Sequence, residues 1–556
     1  MQNSVLTFVP LLAPLSMLLY TAWVLSGKGI RKQRFMISGQ LPAFFGFVMA
    51  LIGLISIVKY ATATSPLLGI DGLGFSIRMD MLSMIMLTMI AILGLVILRF
   101  SENYLDGDPR QHIFFGRLAT TIASVELLVL SGNLFQIMVF WIITSVCLHY
   151  LLVFYRHRPQ AIAAARKKFI VARAGDISLF AAFTIIYLQF GTGELAVIFE
   201  FIQNSGNVAI NGAFTWATGL LVIAAVLKSA QFPTHGWLIE VVETPTPVSA
   251  LLHAGLLNAG PFLMVRMSYL LFESVTASMI LMVIGGLTAL FASVVYLTQP
   301  SIKVSLGYSS IAHMGFSLML CGLGVYSAAI LHIVGHSFYK AHSFLSSGSV
   351  IDLVKAKRIL QSKRKGNPLL ILLSIVVALG IFYLSASLWG LDLAENFSLF
   401  IISVIIIMGL AQLMTQTIDA KWNLLAVGQT AVIAAVAALS FLCFEHFAQL
   451  LLQAEIPAVY NPHINIAILA SVLLAAYGFV VLIQLVSPWL RETTVGYSLG
   501  VHLRNGFYAN VLFDRMIGSL KHDKFKWANL TVKEEQELPS VGPTEEEKEV
   551  EMMVNN

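Results

Sequence analysis

Residues 220–233 read Leu-Leu-Val-Ile-Ala-Ala-Val-Leu-Lys-Ser-Ala-Gln-Phe-Pro. Eight apolar residues run without interruption into a lysine, and a proline follows five positions later. The wider segment from Ala213 to Val242 is too long for one straight membrane crossing, and Pro233 sits well inside it. A proline there removes a backbone hydrogen bond and breaks or kinks the helix. Broken helices within a bilayer line cavities, where the freed backbone groups find partners. This segment therefore predicts a discontinuous membrane helix carrying a charge at its break.

The rest of the chain agrees. Of 556 residues, 58% are hydrophobic and 11% charged, against about a quarter charged in a soluble protein. Mean hydropathy is +0.82. Nine of the 29 acidic residues lie after Leu520, so a water-facing surface cannot be built from the remainder. The composition predicts an all-α polytopic membrane protein. Fifteen apolar runs of spanning length, about 20 residues for a core of ~30 Å, centre near residues 15, 51, 90, 122, 144, 180, 222, 258, 289, 312, 337, 380, 407, 434 and 476. Runs this long and unalternating are helices.

Loop charges orient them. With the loop Lys28–Arg34 inside, alternation also puts inside the clusters Arg156, Arg158, Arg166, Lys167, Lys168 and Lys355, Lys357, Arg358, Lys363, Arg364, Lys365, together with Arg491 and the tail. The outside loops hold almost nothing basic, with Arg78 and Arg266 near helix ends. The positive-inside rule thus predicts an N-terminus outside and a cytoplasmic C-terminus. Arg491–Leu520 reads as a short interfacial segment, and the Glu-rich stretch from Lys533 as a disordered end. A net charge of +5 gives no reason to invoke nucleic acid. Cys147, Cys321 and Cys443 lie singly in apolar runs and read as buried small hydrophobes, with no metal-ligand spacing.

Ionisable groups inside lipid cost at least ~2.5–3.5 kcal/mol each and mark function. Lys228 either snorkels from a helix end or, desolvated, alternates between charged and neutral forms. His235, Glu240 and Glu243 follow the break, and Ser249 and His253 share one helical face. His253 alone reads equally as a packed ring. His332, His336 and Lys340 recur at every fourth position, a stripe rising about 6 Å per step, able to pass protons through bridging waters or to serve as a structural polar seam. His313 and Lys303 face a related direction, and Lys303 suits a topology anchor as well. Asp176 lies three residues from Arg173, which predicts a local ion pair. Glu126 has no such partner in its own helix.

These residues resemble a known family. Lys228-Ser-Ala-Gln-Phe-Pro, Trp237-Leu238, Glu243-Thr-Pro-Thr-Pro-Val-Ser-Ala-Leu-Leu-His253-Ala-Gly, Pro300-Ser-Ile-Lys303 with Gly307-Tyr-Ser-Ser, His336-Ser-Phe-Tyr-Lys340 with Phe344-Leu-Ser-Ser-Gly-Ser, and Asn505-Gly-Phe-Tyr are similar to the antiporter-like membrane subunits of complex I and of cation/proton antiporters. The resemblance covers about residues 75–520. It implies two inverted five-helix repeats, each with a broken helix. The segments would be 1–110 (three helices), 111–272 and 273–417 (the repeats), 418–490 (two helices) and a tail, 491–556. It implies that Lys228 is the broken-helix lysine, His253 the polar residue of the next helix, and Lys340 the central lysine joining two half-channels.

Three departures matter. The family's glutamate after a tryptophan in the fifth helix is Ile142 here, following Trp141. The twelfth run carries no lysine. Nothing after Leu520 offers the long lateral helix of respiratory pumps. Glu126 lies four residues (about 6 Å) off Ile142 in depth, close enough for a water-bridged pairing with Lys228 but not for a simple swap, so whether it replaces the missing acid stays open. The wording around His336–Ser349 and His253 is closest to the DabB branch. That branch implies the ion-conducting membrane subunit of a two-part inorganic carbon pump, whose DabA-like partner resembles a zinc carbonic anhydrase. Zinc would then belong to the partner, with no cofactor in this chain. A proton-pumping subunit of complex I or of a membrane hydrogenase, a large antiporter subunit, and a non-conducting scaffold are the other readings.

Overall fold

The computed structural model describes residues 7–26, 32–60, 62–155, 158–204, 212–348, 366–389, 397–419, 423–458, 462–490 and 493–516. The chain divides into a unit of residues 1–509 and a second of 510–556. Of the second, only 510–516 are described, within the helix Ala509–Met516.

The first unit is almost wholly helical. Its first six helices are α1 (Leu12–Ser26), α2 (Lys32–Tyr60), α3 (Met81–Tyr104), α4 (Gln111–Val129), α5 (Leu134–Leu152) and α6 (Pro159–Phe190). A short amphipathic α7 (Leu195–Asn204) precedes the broken pair α8 (Gly212–Lys228) and α9 (Gly236–Glu240). Then come α10 (Thr246–Ala254), α11 (Ala259–Arg266), α12 (Ser268–Phe272), α13 (Val275–Tyr296), α14 (Ile302–Gly322) and α15 (Tyr326–Leu345). The last are α16 (Pro368–Trp389), α17 (Phe397–Ile418), α18 (Leu424–Leu452), α19 (Ile464–Leu490) and α20 (Thr494–Arg504). Thirteen helical segments among the described residues, α10–α11 counted as one, are long and apolar enough to cross a membrane. The protein is therefore a multi-pass membrane protein. All fifteen run centres fall in helices, but two of these helices miss that measure. At 17 residues α8 is short, and α15 carries three histidines and a lysine.

The break is as expected, and its backbone groups are accounted for. Ser229 donates its hydroxyl to the Leu257 carbonyl at 2.9 Å, and the Thr288 hydroxyl accepts from Phe232 N–H at 3.2 Å. Gln231 donates its side-chain amide to the Ser229 carbonyl at 2.8 Å. Ala230 takes a left-handed φ of 51° to make the turn. One backbone partner lost with the helical ladder, that of Phe232 N–H, comes from Thr288 of α13, and another, that of the Ser229 carbonyl, from Gln231 of the break itself. No second break occurs among the described residues of the later half. There α16 runs through 22 residues with no internal proline, against the expectation of one break per repeat.

Small residues set the closest approaches. A Cβ on Gly315 of α14 would lie 2.6 Å from the Gly285 carbonyl oxygen of α13, and one on Gly322 2.7 Å from that of Ser278. Such contacts let backbones pack without a hydrophobic drive. A Cβ on Gly260 of α11 would meet the Ala225 carbonyl oxygen at 2.5 Å, which seats α11 against the end of α8. All of α10 and α11 is buried.

The loop before α3 holds structure that periodicity did not reveal. Strands β1 (Ala63–Thr64) and β4 (Arg78–Met79) pair antiparallel, as do β2 (Leu68–Ile70) and β3 (Leu73–Phe75). Asp71 and Gly72 join β2 to β3 with φ of 52° and 77°, the conformation an Asp-Gly hairpin turn favours. Below it, Asp80 caps α3, accepting from Ser83 N–H at 2.8 Å. Asp80 also binds Arg78 at 2.6 Å and Arg266. Burial pushes its carboxyl up, but the Arg266 and Arg78 guanidiniums outweigh that and hold it well below the usual range. The nearby Glu455 carboxylate accepts from Met81 N–H and the Thr62 hydroxyl, and is pushed up by burial and by the charge of Asp80.

The cysteines are free, but not uniformly buried: Cys321 is enclosed, Cys147 half-buried and Cys443 exposed. Cys443 lies on α18, which shows most of its length to the surroundings. There a small apolar residue needs no enclosure when the surroundings are lipid.

Candidate functional site

Two clusters of buried polar side chains flank the enclosed α10–α11 segment. The first surrounds the end of α8. Lys228 is half-buried as a residue, but its ammonium donates to the Trp141 carbonyl at 3.1 Å and lies 4.2 Å from the indole centroid. Across from it on α6, Lys168 is buried and donates to the Ser145 carbonyl and hydroxyl at 2.6 and 2.8 Å. Asp176 pairs with Arg173 at 2.7 Å, as its spacing predicted. Its carboxylate also acts electrostatically on Lys228 and Lys168. Glu240 forms an ion pair with Lys167 at 2.5 Å. The side chain of Glu243 lies outside the described residues. His235, fully enclosed in the break, stacks on Phe232 and packs against Phe291.

The carboxylate facing Lys228 thus comes from α6. Glu126 is not among the charged groups that act on Lys228. It is fully buried on α4, both its oxygens lack a hydrogen-bond partner, and Asp176 and Arg173 are the charged groups that act on Lys228. The geometric reason is that α6 presents Asp176 directly beside α8, whereas depth along α4 says nothing about the direction a side chain takes around the helix axis.

The second cluster lies on α14 and α15. His313 Nδ1 and His332 Nε2 are 3.1 Å apart, and the His336 ring centroid is 5.1 Å from that of His313 and 6.2 Å from that of His332. Lys340, wholly buried, donates to the Leu306 carbonyl at 3.1 Å. His313, His332 and His336 face a half-open cavity of about 760 Å³, walled by Phe316, Ile402, Phe441 and other apolar side chains of α14, α15, α17 and α18. That is ample for a file of waters bridging the imidazoles. Lys303, one helix end away, donates to the Thr246 hydroxyl at 3.2 Å. Between the clusters, His253 lies on α10. It is buried, stacked on Phe344 at 4.3 Å, with both ring nitrogens unpaired and Lys340 acting on it electrostatically. Asn258 ties this segment to α15 by donating to Ser337 at 2.7 Å.

Three buried groups here escaped the sequence reading. Lys167 and Lys168 looked like loop cations, although α6 already starts at Pro159. Glu445 of α18, 4% exposed, accepts from Ser327 at 2.6 Å near the start of α15, and an apolar run had hidden it. The signal available was helix length: α6 spans 32 residues, so its ninth and tenth lie inside the bundle. Chemically, the described residues present titratable amines, imidazoles and carboxylates in near succession, an arrangement suited to stepwise proton movement. Among the described residues no cluster of three or more His, Cys, Asp or Glu is placed to hold a metal ion.

Residues 131–418 match the NADH:quinone oxidoreductase/Mrp antiporter transmembrane family, and residues 71–115 match the N-terminal segment of complex I chain 5. The chain belongs to this family. It is 37% identical over 491 residues to the probable inorganic carbon transporter subunit DabB2 of Halothiobacillus neapolitanus, covering 86% of this chain and 87% of that one. A DabB subunit of Hydrogenovibrio crunogenus is 39% identical over 50% of this chain and 54% of its own. The chloroplast NAD(P)H-quinone oxidoreductase subunit 5 of Ranunculus macranthus is 39% identical over 50% of this chain and 38% of its own. Among solved structures, the Mrp complex of a Dietzia species aligns with a TM-score of 0.57 at 21% identity, covering 96% of this chain and 59% of that one. The archaeal membrane-bound sulfane sulfur reductase aligns with a TM-score of 0.56 at 18% identity, covering 91% and 99%. At these identities the structures speak for the fold alone.

Proposed function

We propose that this family member is the ion-conducting membrane subunit of an energy-coupled inorganic carbon pump. It would couple cation flow, through the buried Lys and His residues, to CO2 hydration on a carbonic-anhydrase-like zinc subunit resembling DabA. The observation that carries this is the 37% identity across nearly the full lengths of both this chain and a DabB2 subunit. One structural feature supports it: half-buried Lys228 and the buried His253, His336 and Lys340 form a polar succession through the bundle. The Lys/His chemistry favours the proton as the driving ion. In this reading Lys228 and Lys340 are the proton-exchanging amines. His253, His313, His332 and His336 bridge them, Asp176 is the counter-charge of Lys228, and Glu240 with Lys167 marks the approach from the inner end. Lys303 belongs to the same inner approach. The chain would sit in a bacterial inner membrane, N-terminus outside, with fifteen crossings in two inverted repeats.

Expression of the chain with its partner should let a bacterium lacking carbonic anhydrase grow in air, and collapse of the proton gradient should abolish the rescue. Co-purification should bring down a large zinc-containing subunit. The chloroplast relatives favour a second reading, a proton-pumping subunit of a complex I-type or membrane hydrogenase complex. Recovery of quinone-reducing or hydrogenase subunits in place of the zinc protein would select it. A stand-alone complex with cation/proton exchange subunits would select the antiporter reading, and growth rescue unchanged in a Lys228→Met/Lys340→Met variant would leave only a scaffold.

A further inference from the structure

The carbonyls that anchor the two lysines of the first cluster, half-buried Lys228 and buried Lys168, belong to one face of α5. Lys228 binds the carbonyl of Trp141, and Lys168 that of Ser145, four residues on. One helical turn separates those carbonyls, about 6 Å along the axis. Lys168 therefore lies one turn nearer the end where α5 finishes and α6 begins. Both lysines line a cavity of about 20 Å³, together with Thr144 and Ser145 of α5, Leu252 of α10 and Leu256 just after it. That volume holds one water. Two ammoniums a turn apart in so dry a site repel, so a proton held by one weakens the other's hold on a second. Beyond Lys168 in the same direction, Lys167 and Glu240 form an ion pair whose carboxylate side chain is 25% exposed.

We propose that Lys168 is a proton-carrying residue of this chain, taking its proton from Lys228 through a single cavity water. The step balances without any further reagent: the Lys228 ammonium gives a proton to the water, the water gives one of its own to the Lys168 amine, and Lys228 is left neutral. Asp176 and Arg173 flank the pair from α6, while Cys147 and His149 face Lys168 from α5. A lysine pair then stands where the family pairs a lysine with the glutamate that Ile142 replaces. The inference rests on the ion-conducting reading above.

The test uses the full chain, with its partner, in proteoliposomes carrying an imposed pH gradient and an internal pH dye. Wild type should conduct, and Lys168→Met should lose at least tenfold in flux. Lys168→Arg should lose as much, because a guanidinium supplies the charge and the hydrogen bonds to Ser145 but does not release its proton. Lys168→His should retain flux with its pH profile displaced to acid by two or more units. Retention of flux in Lys168→Arg would make Lys168 a structural cation and overturn the proposal. So would wild-type flux in a Lys168→Met chain that reaches the membrane in normal amount. Absence of flux in the wild type itself would instead overturn the conduction reading, and this inference with it.

Discussion

Replacing Asp80 with asparagine should strongly destabilise the chain. The Asp80 carboxylate is wholly buried and is shared by Arg78 and Arg266, whose side chains are 9% and 2% exposed. An amide in its place keeps the shape and leaves two enclosed guanidiniums without their bonded counter-charge, with only the nearby Glu455 carboxylate acting on Arg266. Removing one partner of a buried pair costs about 3–5 kcal/mol, so about 4 kcal/mol is expected here, near three decades in the folded-to-unfolded ratio at 1.4 kcal/mol per decade. Titration of the purified chain in mixed micelles from dodecyl maltoside into sodium dodecyl sulfate, followed by tryptophan fluorescence, measures it. A loss under 1 kcal/mol would refute the reasoning. An Asp80→Asn/Arg266→Met double variant should recover about 0.5–3 kcal/mol relative to additive losses.

The pH dependence has a definite sign. Because the folded carboxyl of Asp80 is held below its unfolded value of about 3.9, its contribution is present above that value. It is lost as pH falls through the lower folded value. The difference between wild type and Asp80→Asn should therefore stay level from neutral pH down to about 5. Glu455 runs the other way. Its folded carboxyl is raised above about 4.3, so its contribution is present below that and fades as pH rises through the raised value. Glu455→Gln should remove a stability decline on the alkaline side of pH 4, and an unchanged slope would contradict the burial of that group.

Lys228→Met and Lys340→Met should each abolish growth rescue in air while leaving membrane abundance unaltered, since methionine fills the lysine stem's volume and cannot carry a proton. Glu126→Gln should transport normally in the same assay, because no charged group acts on that carboxyl and none bonds it; a tenfold loss would restore it to the pathway. Gly315→Ala should lower the thermal unfolding midpoint in detergent, at a cost of about 1–3 kcal/mol, since its Cβ would lie 2.6 Å from the Gly285 carbonyl oxygen and 2.9 Å from Ala289 N. An unshifted midpoint would mean that α13 and α14 can part without penalty.

The membrane fold was legible because scarcity of charge and length of apolar run are one-dimensional facts that lipid converts directly into helices. The break at Lys228–Pro233 and the His332–His336–Lys340 stripe were legible for a like reason: proline chemistry and four-residue spacing are local. Partnerships across helices were not. Asp176 read correctly as an ion pair with Arg173, yet its second role beside Lys228 depends on the azimuth of α6, which no spacing encodes. Lys168 was mistaken for a loop cation because a helix boundary was placed too late. The Asp71-Gly72 turn lay in plain view, but strands of two or three residues carry no periodic signal. Glu445 was overlooked because its neighbours are apolar, which is the condition that makes a lone carboxylate informative.

The glycine contacts between α13 and α14 have a mechanical meaning for the histidine stripe. Where two backbones touch with no side chain between them, no rotamer is left to absorb a displacement, so the two helices move as one beam. His313 rides on that beam, whereas His332 and His336 ride on α15, whose histidine-bearing side faces the large cavity. Stiffness is therefore lopsided around the imidazoles, and any opening or closing of the His313–His332 contact falls to α15 and the helices across the void. A bulky lipid or inhibitor wedged into that void would press on the imidazoles that line it and hold the His313–His332 contact in one arrangement.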